Sequence, residues 1–116
     1  MECELFVDTT LDEDRIAEIV RHACPGTYEY GLLKSQFVEI YVEKNDKIDT
    51  DISRKPGKQF LNFPIAMLLT ALPGTSDETF KDITERVMRR LQSEGFTVIA
   101  ACDFEDELPQ SYDIHQ

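Results

Sequence analysis

Residues 59–72, Gln-Phe-Leu-Asn-Phe-Pro-Ile-Ala-Met-Leu-Leu-Thr-Ala-Leu, carry no charge and are apolar at most positions. A continuous apolar run of this length fits a buried helix or a buried strand. Pro64 in its middle would break a helix. Phe60, Phe63 and Ile65 favour an extended chain. The run therefore predicts a strand with a bulge or a start near Pro64, since proline donates nothing to a ladder. Such a strand is apolar on both faces, so it must be central in a sheet or covered on both sides.

The neighbours it needs are present. Residues 3–9 are β-branched, aromatic and short, which predicts a first strand. In 37–43, Val38, Ile40 and Val42 point one way and Phe37, Glu39, Tyr41 and Glu43 the other, giving a strand with one buried and one mixed face. Thr27–Tyr30 reads as a short extension interrupted at Gly31. Residues 97–102 give the last strand. Between these lie two helices. The first, about 11–23, opens on a Thr10…Glu13 capping box and buries Ile16, Ile19, Val20 and Ala23; Pro25-Gly26 stops it. The second, about 77–94, is capped by Thr75 with Glu78. It repeats Phe80, Ile83, Val87, Met88 and Leu91 at steps of three and four, and closes on Gly95-Phe96. Strand, helix, strand, loop, strand, helix, strand predicts an α+β, ferredoxin-like βαββαβ sandwich. Its antiparallel four-stranded sheet would carry both helices on one face, with the first and third strands central.

The 116 residues suit a single domain, taken as 1–109, with 110–116 a polar tail and the stretch from Asp103 onward frayed. Twenty-three acidic residues against twelve basic ones leave a net charge of −11. That charge argues against direct nucleic-acid binding and for a basic partner. No run is long and apolar enough to span a membrane. Met1-Glu2-Cys3-Glu4 is acidic where a signal peptide would be basic. Cys3, Cys24 and Cys102 are odd in number and widely spaced, which points to free thiols, small buried hydrophobes and a reducing cytoplasm.

Chemistry is sparse. No catalytic motif, metal centre or cofactor fingerprint occurs. His22 and Cys24 do not share a helix face. Asp8 and Asp103 are the carboxylates that separate strands could bring together for acid–base work. Arg54, Lys55 and Lys58 surround the Pro56-Gly57 turn of the long loop 44–58, which could contact an anion or act as a lid. Arg86, Arg89 and Arg90 fit ion pairs with Asp82, Glu85 or Glu94 along the second helix. Asp103, Glu105, Asp106 and Glu107 crowd the end of the last strand. They can steer a basic protein, bind a divalent ion weakly, or simply keep a sheet edge soluble. Phe37, Glu39 and Tyr41 form an aromatic–acidic patch suited to a protein interface or to a homodimer.

A small acidic domain with this carboxylate run and no catalytic constellation resembles bacterial immunity proteins of contact-dependent inhibition and other polymorphic toxin systems. The stretch Ala100–Pro109 is also similar to the ends of small bacterial proteins that bring no activity with them. The first resemblance implies stoichiometric neutralisation of a basic toxin such as a nuclease. Asp103, Glu105, Asp106 and Glu107 would make the charged contacts, and Phe37 and Tyr41 the anchors. A dimeric ferredoxin-like ligand-binding or regulatory domain and a small carboxylate-dependent enzyme are the alternatives.

Overall fold

A computed structural model describes residues 1–45 and 59–111. The apolar alternation of the first residues becomes β1 (Glu2–Asp8), which turns Cys3, Leu5 and Val7 inward. Helix α1 (Glu13–Ala23) follows. Its cap is Asp12 and not Thr10: the Asp12 carboxylate accepts from the Arg15 amide at 2.9 Å, with φ −81° and ψ 175°. Thr9 is occupied one turn earlier, its hydroxyl accepting from the Leu11 amide. The helix therefore starts two residues later than expected.

Residues 27–34 are a hairpin of their own, β2 (Thr27–Glu29) and β3 (Leu32–Lys34). Tyr30 and Gly31 form its turn with φ of 51° and 81°. Gly26, before β2, lies so close to the Lys34 carbonyl that a side chain there would collide with backbone. Next come β4 (Val38–Lys44), β5 (Ile65–Ala71), α2 (Asp77–Ser93) and β6 (Thr97–Ala101). Strand β5 starts directly after Pro64. Gln59–Asn62, expected to be extended, is a 3₁₀ turn. Helix α2 is capped by Ser76, which accepts from the Thr79 amide. Thr75 instead donates to the Phe37 carbonyl at 2.7 Å and ties the helix entrance to β4. At the far end Gly95 has φ 92° and the Phe96 amide returns to Leu91, as expected of a glycine stop.

All strand pairs are antiparallel, in one sheet of six strands ordered β2-β3-β4-β5-β1-β6. The sheet is thus larger than the four strands expected, because the hairpin adds two at the β4 side. Strands β1 and β5 are flanked on both sides, as their apolar character requires. One face of the sheet packs Cys3, Leu5, Val7, Val38, Ile40, Val42, Ile65, Met67, Leu69, Val98 and Ala100 against Ile16, Ala17 and Val20 of α1. Phe80, Ile83, Val87, Met88 and Leu91 of α2 complete the same cluster. Burying each Val, Leu, Ile, Met or Phe side chain of this cluster stabilises the fold by roughly 1.5–3 kcal/mol.

The stretch after β6 is packed, not frayed. Phe104 and Leu108 are buried, and the Phe104 ring meets Phe80 edge-on at 5.8 Å. Glu105–Glu107 is a 3₁₀ turn. Gln110 and Ser111, expected in a polar tail, are also buried. The Gln110 side chain accepts from the Ala100 amide at 2.7 Å and donates to its carbonyl at 2.9 Å. Ser111 accepts from the Val98 amide at 2.8 Å. These side chains satisfy the outer edge of β6 where a seventh strand would otherwise bond, which blunts that edge.

Candidate functional site

The sheet face away from the helices holds the features with most to offer a partner. Alternation sends Glu2, Glu4 and Phe6 of β1 to this face, with Glu39, Tyr41 and Glu43 of β4 and Ala66, Leu68 and Thr70 of β5. The register then decides which of them touch. One row runs straight across the sheet: Glu29, Leu32, Tyr41, Leu68, Glu4, Ala101. Its centre is apolar and open, with Tyr41 45% and Leu68 40% exposed. Glu29 and Glu4 bracket it. The next row is Thr27, Lys34, Glu39, Thr70, Glu2. The third is Glu43, Ala66, Phe6, Ile99. It is closed over, since Phe60 stacks edge-on to Phe6 at 5.3 Å. Across the three rows stand five carboxylates, with Lys34 the one basic side chain among the described residues. Strand spacing puts Glu4 about 10 Å from Tyr41.

Glu39 and Tyr41 therefore lie on this face as expected, and Phe37, just before β4, is 41% exposed. The acidic turn divides. Asp103 joins the open face, lining a cleft of about 450 Å³ with Met1, Glu2, Glu4, Leu68 and Phe104. Glu107 points to the helix side, where it pairs with Lys81 at 3.0 Å beside Glu78, Asp82 and Glu85. The Glu105 carbonyl accepts from Gln110. Asp106 is exposed. Anchored by Phe104 below and Leu108 behind, the carboxylates stand on a fixed base, but they are not one contiguous patch.

Asp8 and Asp103 do not meet. Asp8 faces Thr97 at one end of the β1–β6 ladder, and Asp103 follows the other end, beyond Ala101 opposite Glu4. About 3.3 Å per residue separates them by more than 13 Å, too far for a shared acid–base site. Among the described residues no group of three or more His, Cys, Asp or Glu is placed to hold a metal. Arg54, Lys55 and Lys58 lie outside the described residues. On α2, Arg89 pairs with Glu85 and Arg90 with Glu94, as the helical spacing predicts.

The sequence reading missed Glu4, Glu29, Leu32 and Leu68. The alternation of β1 could have placed Glu4 outward, but Leu68 is hidden in a run apolar on both sides. It also took Cys3 and Cys102 as unrelated. The Cys3 thiol lies 2.8 Å from the Cys102 sulfur, and both residues line the cleft. Burial pushes the Cys3 thiol far above the ordinary range, and the Cys102 contact adds to it. Burial also raises Cys102.

A second hollow, of about 410 Å³, collects Glu13, Asp14, Tyr28, Tyr30, Tyr41 and Glu43 beside the hairpin. Tyr28 donates to Asp14 at 3.0 Å. Its phenol is pushed up to about 12, by burial first and then by the Asp14 hydrogen bond and charge.

Compared with known proteins, the chain matches no family model, no curated protein and no solved structure. No helix among the described residues is long and apolar enough to cross a membrane.

Proposed function

We propose that this chain is an acidic protein-binding module that acts as an immunity protein, neutralising a basic toxin by stoichiometric binding in a reducing cytoplasm. The observation that carries the reading is the central row of the open face, where Leu32, Tyr41 and Leu68 sit side by side between Glu29 and Glu4. An apolar centre flanked by five carboxylates and a single lysine is what a partner of opposite charge fits: the centre supplies affinity and the net negative surround supplies steering. A second copy of the chain fits less well. A face-to-face two-fold dimer would set the same carboxylates against each other, and like charges at close range repel. The plan that goes with this reading is a ferredoxin-like βαββαβ core of β1, α1, β4, β5, α2 and β6, widened by the β2–β3 hairpin. The order β4-β5-β1-β6 supports it.

The test is co-purification of the tagged protein from its native cytoplasm at low and moderate salt, followed by size-exclusion chromatography. The expected result is a stoichiometric basic protein whose toxicity in co-expression is relieved by this chain. Tyr41→Ala should weaken that complex at least about tenfold through faster dissociation. Glu4→Gln with Glu39→Gln should slow association and flatten its salt dependence. A partner held equally well by both variants, or a clean homodimer alone, overturns the proposal.

A further inference from the structure

Cys3 and Cys102 are 99 residues apart in sequence, and their sulfurs are 2.8 Å apart in the fold. We propose that these two thiols form a reversible intramolecular disulfide that ties the start of β1 to the turn after β6. This goes beyond the binding function above and does not rest on it.

Three observations carry the inference. The first is register. Glu4 faces Ala101 at the end of the β1–β6 ladder, so Cys3 in β1 and Cys102, the first residue past β6, are neighbours just beyond it. Two side chains so placed are already near the separation a disulfide needs, and closing the bond calls for a small shift and no strand movement. The second is access. Cys3 is 1% exposed, while Cys102 is half-buried and both line the cleft beside Met1, Glu2 and Asp103. An oxidant therefore reaches Cys102 first, and Cys3 is the thiol waiting behind it. The third is isolation. Cys24, the remaining thiol, is buried at the end of α1 and has no part in the cleft.

The chemistry balances with a low-molecular-weight disulfide as the oxidant. The Cys102 thiolate attacks one sulfur of glutathione disulfide, forming a mixed disulfide and releasing one glutathione thiolate. The Cys3 sulfur, having given up its proton, attacks the Cys102 sulfur of that mixed disulfide and displaces the second glutathione. The protein loses two protons and two electrons, and with them one glutathione disulfide becomes two glutathione thiols. Burial raises both thiols, so little thiolate is present at neutral pH and the exchange is slow.

The experiment is equilibration of the purified protein in glutathione buffers of graded ratio, acid quenching, alkylation after denaturation, and mass spectrometry of the intact chain and its peptides. The expected product is lighter by two hydrogen masses, with Cys3 and Cys102 linked and Cys24 alkylated. Cys3→Ala should stop at a glutathione adduct on Cys102. Cys102→Ser should leave both remaining thiols free. Closing so long a loop should raise Tm by at least about 5 °C in the oxidised form. Three free thiols across the whole series, a lasting glutathione adduct on the unmutated chain, or an oxidised form that melts lower overturns the proposal.

Discussion

At the scale of single residues, Gln110 shows how one side chain can stand in for a strand. Its amide matches both backbone groups of Ala100, and both would otherwise be buried without partners. Gln110→Ala should cost about 1–3 kcal/mol, read as a lower denaturant midpoint at unchanged m. A midpoint that does not move would mean that water replaces the side chain at no cost. Tyr28 offers a second test. Its folded-state pKa is raised from 10.0 to about 12, so the folded protein holds the phenolic proton more tightly than the unfolded chain. The associated stability is fully present below pH 10 and is lost as the pH rises through about 12. Asp14→Asn should move the Tyr28 titration back toward its ordinary value, followed by phenolate absorbance. An unmoved titration would assign the shift to burial alone.

At the scale of elements, the helices were legible and their first residues were not. Recurrence at three and four identified α1 and α2, because that spacing follows from helix geometry alone. The caps depend on where the preceding chain turns. Thr10 and Thr75 both give way to a later oxygen, Asp12 and Ser76; Thr75 is tied instead to the Phe37 carbonyl before β4. Asp12→Ala should therefore destabilise by about 1 kcal/mol and Thr10→Ala by much less. Equal losses in thermal denaturation would contradict the cap. The β2–β3 hairpin was read only as a strand extension because Tyr30-Gly31 is not a familiar hairpin turn. Both residues take positive φ, a conformation that favours Asn at the first position. Tyr30 is 99% exposed, so little packing compensates the strain. Tyr30→Asn should raise stability by up to about 1 kcal/mol. A loss instead would show that the ring makes a contact worth more than the strain.

At the scale of the whole molecule, charge and topology divide the explanation. A net charge of −11 on one small domain works against compaction, and the four described ion pairs are exposed and individually weak. Raising NaCl from ~20 mM to ~500 mM should therefore raise Tm by a few degrees as repulsion is screened. A flat or falling Tm would mean that the carboxylates are already locally compensated. Period-two and period-three-or-four patterns were enough, from the residues alone, to establish an α+β chain with two helices, an interior strand within 59–72 and an outward Phe37, Glu39 and Tyr41. They were enough because side-chain direction within one element depends only on local backbone geometry. The alignment of Glu4 and Leu68 with Tyr41, the meeting of Cys3 with Cys102, the separation of Asp8 from Asp103 and the split of the acidic turn came only with the tertiary structure. Each is a relation between elements, set by register and by which faces share the core, and no spacing along the chain encodes it.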